Sequence, residues 1–304
     1  MVHQQTKAGN DIRLTTSSQR RLHEESVAIN PQKGIASSAR YYYYLPIAFS
    51  KIAFFALNRR THSLADLRVL SFLLITPLLY VLGFRGSLKT PFGKAIIMNR
   101  DKIRSVTHGA FKTHFGYLKD IESITKARFF PVVVDIGANV GDFSLALAPR
   151  SGKVIALEPG SENFNSLRFN IEANGVRNVV ALNIAAHHQT ELLGLAGIGS
   201  MLHIVSPGKG ETATGLPLDE VLENLRVDHV DLLKLDVQGH EEKVLLGMVE
   251  SLTLKRIGLL VVEAHPIWGI WPKNLVSIMT DYGYHLVMEN SHLFGQPHLY
   301  FAAE

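Results

Sequence analysis

The chain has 304 residues, 46% hydrophobic and 19% charged, with a formal net charge of +4. That composition excludes a wholly disordered or fibrous protein, and at roughly 100–200 residues per domain the length fits one catalytic-sized domain plus an appendage. Cysteine is absent, which excludes disulfide scaffolds, Cys-ligated zinc, iron–sulfur clusters and thiol nucleophiles together.

The charge is unevenly placed. Residues 1–130 hold 20 Lys+Arg against 7 Asp+Glu, whereas residues 131–304 hold 11 against 20. A basic, apolar front therefore joins an acidic back, and a high pI alone does not make this chain a nucleic-acid binder. Residues 1–40, rich in Gln, Ser, Thr, Arg and Lys, read as a disordered basic tail. A targeting peptide fits less well, because no apolar core starts near Met1 and Asp11, Glu24 and Glu25 are out of place in one.

Residues 41–84 are an apolar helical segment. Tyr41–Leu57 is apolar apart from Lys51, and Val69–Phe84 is apolar and uncharged. Three readings stand: helices packed on the catalytic domain or a second subunit, a hairpin lying on an anionic membrane surface, or a true span. The 16 residues of Val69–Phe84 reach about 24 Å as a helix, short of a hydrocarbon core of ~30 Å, and Pro77 interrupts them. The chain is placed in the cytoplasm, with attachment at the membrane periphery left open.

Residues 85–130 form a lead-in. Thr90–Gly93 reads as a turn, Lys94–Asn99 as a strand, and His108–Lys126 as a helix with Phe111, Phe115, Leu118, Ile121 and Ile124 near one face. From residue 131 strands and helices alternate. The predicted strands are Val132–Ile136, Lys153–Leu157, Val179–Asn183, Val230–Leu235, Ile257–Glu263, Tyr284–Met288 and Leu299–Ala302. The predicted helices are Asp142–Ala148, Ser161–Ala173, His240–Ser251 and Pro272–Tyr282. Runs such as Val132–Val134 are apolar on both faces, as central parallel strands require. The pattern is an α/β, Rossmann-like, doubly wound and mostly parallel seven-stranded sheet, with ligand at the carboxyl ends of its strands.

Four segments carry chemistry. In Val132-Val133-Val134-Asp135-Ile136-Gly137-Ala138-Asn139-Val140-Gly141, a strand ends near a carboxylate and a glycine turn opens a helix with free N–H donors. Ala138 and Asn139 break the Gly-x-Gly-x-x-Gly dinucleotide pattern. Asp135 suits a cationic, amine-bearing cofactor better than a pyrophosphate. Glu158 ends the next strand and is placed to accept hydrogen bonds from ribose hydroxyls. Val230–Glu241 delivers Lys234, a candidate ion-pair partner, and Asp236, a candidate near the reacting centre. Glu241 is either catalytic or a dipole partner in the first turn of its helix. Glu263 and His265 arrive at the same rim, with His265 the best-placed base. His187 and His188 read as surface residues.

Together, Asp135–Gly141 with Glu158-Pro159, and Leu218-Asp219 leading to Lys234-Leu235-Asp236-Val237-Gln238-Gly239-His240-Glu241, resemble the S-adenosylmethionine-dependent methyltransferases of the FkbM type over roughly residues 90–304. Gln238 stands where that family commonly has Glu, and His240 where a small residue is usual. The resemblance implies S-adenosylmethionine as cofactor, bound by Asp135, Gly137, Asn139, Gly141 and Glu158; no metal is expected, although the 14 histidines and the carboxylates leave a His/carboxylate site open. It implies Asp236, Glu241 and His265 as catalytic residues. The reaction implied is O-methylation of a hydroxyl on a sugar, polysaccharide, lipid or natural product; the partner is a small-molecule or glycan acceptor, not nucleic acid. The competing readings are a nicotinamide-dependent oxidoreductase on the same fold and a non-catalytic membrane-surface protein. Acceptor loops are expected around residues 198–214 and 267–271.

Overall fold

Strands apolar on both faces must be covered on both faces, and the sheet meets that demand. The computed structural model describes residues 64–97, 100–197, 199–206, 208–291 and 296–303; the predicted tail and the Tyr41–Leu57 stretch lie outside them. The central strands are β3 (Phe130–Ile136), β4 (Ser151–Leu157), β5 (Val179–Leu182), β10 (Val230–Leu235), β11 (Ile257–Glu263), β12 (Tyr284–Ser291) and β13 (Pro297–Ala303), in the order β12-β13-β11-β10-β3-β4-β5. All neighbours pair in parallel except β13, which runs antiparallel to both β11 and β12. The seven predicted strands are therefore the seven of the sheet. The chain winds outward from β3 through β4 to β5, then returns to β10 on the other side of β3. Such a reversal opens a crevice at the carboxyl ends of β3 and β10.

The two-residue strand period sorts the core. Val134, Ile155, Leu233, Leu260 and Val262 pack on one face with Val244, Leu252, Leu275 and Met279. Val133, Val154, Leu232, Leu259 and Val261 pack on the other with Tyr117, Ile121, Phe143 and Leu147. Each fully buried aliphatic side chain contributes about 1.5–3 kcal/mol.

Two predicted helices are subdivided. The lead-in helix is α2 (Arg100–Phe111), a π-helical stretch Lys112–Leu118, and α3 (Lys119–Thr125). The segment predicted at His240–Ser251 splits into α7 (Glu241–Leu246) and α8 (Val249–Thr253). At Gly247 a Cβ would collide with the His187 carbonyl oxygen, so the chain passes there too closely for any side chain. Asp219, in the first turn of α6 (Leu218–Asn224), then restarts the helix by accepting from the N–H groups of Glu250 (2.8 Å) and Ser251 (3.0 Å). These are orphan donors of a helix start, and capping them stabilises by about 1 kcal/mol.

Ahead of the sheet lie α1 (Leu64–Leu82) and a hairpin of β1 (Gly86–Thr90) and β2 (Gly93–Ile97). One face of α1 is packed: Val69 and Leu73 meet Phe115, and buried Asp66 pairs with His114 (2.7 Å) and Lys119 (2.8 Å). Leu67, Leu74, Leu78 and Leu82 on α1 are exposed. Among the described residues no helix is long and apolar enough to cross a membrane.

A second sheet has no counterpart among the predicted elements. β6 (Ala185–Ala186), β7 (Glu191–Ala196), β8 (His203–Val205) and β9 (Glu211–Leu216) form a four-stranded sheet in the order β6-β9-β7-β8. Part of the expected acceptor loop at 198–214 is thus strand. These strands are short, two to six residues each, so cross-strand pairing rather than sequence pattern makes them. The remaining α helices are α4 (Asp142–Leu147), α5 (Ser161–Ala173) and α9 (Pro272–Asp281).

Candidate active site

At the crevice lies a cavity of about 360 Å³, within the usual range for a small-molecule site, about 300–1,000 Å³. Its floor is the carboxyl ends of β3, β4 and β10; α2 and the π-helical stretch line one wall, and residues 199–204 line another.

The glycine turn is shaped by close approach. Gly137 has φ 79° and Gly141 φ 93°. A Cβ at Gly137 would strike the Asp236 carbonyl oxygen, so the β3 and β10 ends can meet only without one. Gly141 sits against Leu167, outside the cavity lining. Asn139 lines the cavity at φ 51°, and its enclosed Oδ1 has no hydrogen-bond partner. Left that way, a buried acceptor costs about 1–3 kcal/mol, which is a reason to look for a ligand donor.

Glu158 also lines the cavity. Its Oε2 accepts from the Asn139 N–H (2.8 Å), and its Oε1 from the Gly160 N–H (3.0 Å) and the Asn163 amide (3.2 Å). Burial pushes this carboxyl above its ordinary pKa, and the N–H donors pull it partly back. Asn163 is itself fixed by the buried ammonium of Lys102 (2.6 Å). A carboxylate offers about four lone-pair sites, so capacity remains for ligand hydroxyls.

Asp135 departs from its expected role. It is fully buried and outside the cavity lining; Lys234, its neighbour in the parallel register, holds one oxygen (2.9 Å) and Ser144 donates to the other (2.7 Å). It acts on the cavity at one remove, through Lys234, whose ammonium also donates to the Gly137 carbonyl (3.2 Å) and lies 3.7 Å from Asp236, and through its charge on Asp142.

The opposite side of the cavity is a cluster of charges. Lys112 donates to Asp236 (2.8 Å) and pairs with Glu263, which also accepts from Tyr117 (2.8 Å). Burial and Glu263 raise Asp236, but Lys112, Lys234 and His265 outweigh them and hold it below the usual carboxylate range. For Lys112 burial pulls downward, and the two carboxylates more than reverse it. Asp236, Glu263 and His265 present donor atoms within 4.8 Å of one another, a spacing a cation could use; the Lys112 ammonium already sits against both carboxylates.

His265 is oriented by two contacts. Its Nδ1 meets Glu241 (2.8 Å) and its Nε2 meets the Gln238 amide (2.9 Å), an arrangement satisfied when Nδ1–H donates to the carboxylate. The nitrogen a base would use is therefore covered by Gln238. Glu241 is fully buried and outside the cavity lining; besides His265 it accepts from the N–H groups of Val237 (3.2 Å) and Gly239 (3.1 Å). That geometry places Glu241 behind His265, one residue removed from the cavity.

Sequence reasoning did not single out Lys112, Tyr117 or Asp142. Lys112 and Tyr117 enter from the π-helical stretch, a helix variant that recurs at functional sites. Their one sequence signal is a lysine beside the apolar face carrying Phe111 and Phe115. Asp142 lines the cavity where Gly109 leaves room for its carboxyl, and burial followed by the charge of Asp135 pushes its pKa up to about 8. The two expected acceptor loops do meet: the His203 ring stacks on Trp268 at 4.7 Å, while Trp271 is half exposed.

The profile of the methyltransferase FkbM domain matches residues 135–286. The hexuronic acid methyltransferase AglP of Haloferax volcanii is 27% identical over 155 residues, 49% of this chain and 62% of AglP. The 31-O-demethyl-FK506 methyltransferase FkbM of Streptomyces tacrolimicus is 28% identical over 199 residues, 54% of this chain and 76% of that protein. The AMB antimetabolite synthetase AmbE of Pseudomonas aeruginosa is 27% identical over 178 residues, 44% of this chain but 8% of AmbE. The chain thus spans less than two thirds of AglP and a small part of AmbE. The matched segment carries the glycine turn, Glu158, Asp236 and His265, and with it the chain belongs to the FkbM family of S-adenosylmethionine-dependent methyltransferases.

Proposed function

We propose that the chain transfers a methyl group from S-adenosylmethionine to a hydroxyl of a sugar-type or natural-product acceptor. The observation that carries this reading is the enclosed, unpartnered Oδ1 of Asn139 beside Glu158, an acceptor pair suited to amine and hydroxyl donors of a nucleoside-bearing cofactor. In this reading residues 131–304 are the catalytic domain and 85–130 roof its cavity.

S-adenosylmethionine supplies a methyl on a sulfonium, so that transfer breaks a C–S bond, forms a C–O bond and leaves a neutral thioether. Asn139 and Glu158 hold and orient the cofactor's polar groups, while Gly137 keeps the floor open. Asp236, held ionised by Lys112, accepts the acceptor's O–H and aims its lone pair. A carboxylate with so low a pKa is a weak base, so its contribution is alignment, the main source of rate in a displacement of this type. Lys112 lies where it steadies negative charge developing on that oxygen. The hydroxyl proton leaves through Asp236 to solvent. AglP, by name a hexuronic acid methyltransferase, and FkbM, by name a 31-O-demethyl-FK506 methyltransferase, support an oxygen-bearing acceptor.

Calorimetry on the full chain separates the cofactor readings: S-adenosylmethionine is expected to bind at one equivalent and NAD is not. Labelled methyl from S-adenosylmethionine is then expected in a base-stable ether after incubation with glycan and small-molecule fractions. Label only in base-labile esters, or on nitrogen, would overturn the hydroxyl reading.

A further inference from the structure

The most notable group of side chains outside the cavity lies where β6 leaves the small sheet and β7 returns. His187, read from sequence as a surface residue, is 3% exposed; His188 is half-buried. Their rings meet edge to face at 4.3 Å, and His240 stacks on His187 at 5.5 Å. Glu191, at the start of β7, meets His187 Nε2 at 2.7 Å. The Nδ1 atoms of both His187 and His188 are enclosed and have no hydrogen-bond partner. None of these residues lines the cavity, so methyl transfer gives no account of them.

A neutral imidazole has one donor and one acceptor nitrogen. Here two adjacent rings each bury a nitrogen unpaired, at about 1–3 kcal/mol apiece. A donor atom from each of His187, His188 and Glu191 lies within 4.8 Å of the others. We propose that these three residues form a site for a divalent transition metal of the zinc class, separate from the methyl-transfer cavity. Two imidazoles and one carboxylate are the borderline N/O set that Zn²⁺ prefers, at ~2.0–2.2 Å per bond, with solvent completing four-fold coordination.

The site explains two features. His240, where the resembled family has a small residue, walls one side of the cluster. Gly247, which packs on the His187 carbonyl, lets α7 approach it. A bound ion ties the β6–β7 turn down beside the cavity, which Ala185, Ala186 and Leu195 help to line.

The test uses the untagged full chain, stripped with a chelator and titrated with Zn²⁺ against a chromophoric competitor. One equivalent is expected to bind, and His188→Gln and Glu191→Gln are each expected to weaken it by at least about tenfold, as metal-site substitutions do. Far-UV circular dichroism and S-adenosylmethionine affinity, both expected unchanged, report that the variants are folded. Absence of stoichiometric binding, or wild-type affinity in both folded variants, would overturn the proposal. Should a variant not fold, Co²⁺ bound to the unaltered chain decides. Two strongly shifted imidazole N–H resonances support this site; one points to the Asp236–Glu263–His265 cluster, which has a single histidine, and none excludes both.

Discussion

On the β3–β4 side of the cavity, Glu158 meets Asn139 across 19 residues of chain and Asn163 across 5, and mostly N–H donors hold it. On the β10–β11 side, Lys112 reaches Asp236 across 124 residues and Glu263 from the end of β11, and the partners are full charges. Backbone donors come with the turn itself and stay in place when one side chain changes. A charge cluster balances only as a unit, because removing one member leaves the others desolvated and uncompensated.

The sharpest way to break that contrast is Lys112→Met. It removes the cation that touches both Asp236 and Glu263, 12% and 5% exposed, and leaves them the more distant Lys234 and His265. A loss of about 3–5 kcal/mol in urea unfolding is expected, with Lys112→Arg recovering most of it. An unchanged midpoint would show that the cluster is not a unit.

On the other side, Glu158→Gln is expected to keep the fold and weaken S-adenosylmethionine by about 10–100-fold in calorimetry, the loss of a charge-assisted hydrogen bond of roughly 1.5–3 kcal/mol. A fall in stability larger than the fall in affinity would erase the distinction between the two sides.

A smaller effect follows from His265. Burial lowers its pKa, but Glu241, Asp236 and Glu263 raise it further, leaving it above the ordinary 6.5. The folded state then binds the proton more tightly than the unfolded chain. Its contribution to stability is full below pH 6.5 and disappears as pH rises through the folded value. His265→Gln is expected to flatten that part of the stability–pH curve.

Asp142→Asn has an effect that is smallest near pH 4 and grows with pH, because a carboxyl pushed up to about 8 stays mostly uncharged in the folded state at pH values where the unfolded chain has ionised it. Between the ordinary value of 3.8 and about 8, the folded state holds a proton the unfolded chain has lost, so wild-type stability falls as pH rises. The variant is expected to match wild type near pH 4 and exceed it above pH 8 in urea unfolding.

The sequence by itself determined the seven-stranded sheet, because burial on both faces writes continuous apolar runs, and β10 and β11 match their predicted bounds. It also determined the glycine turn and the placement of Glu158 and Asp236 at strand ends, since strand, turn and carboxylate are contiguous. It did not determine what Asp135 does: the register that sets Lys234 beside it consumes its charge inside the protein. Nor did it reveal Lys112, whose partners lie in distant segments, or the small sheet, whose short strands exist through pairing. The histidine pair read as surface until α7 and the β6–β7 turn enclosed it. Local pattern carries information about burial and turns; the balance of buried charge depends on which distant segments meet, and only the tertiary structure decided that.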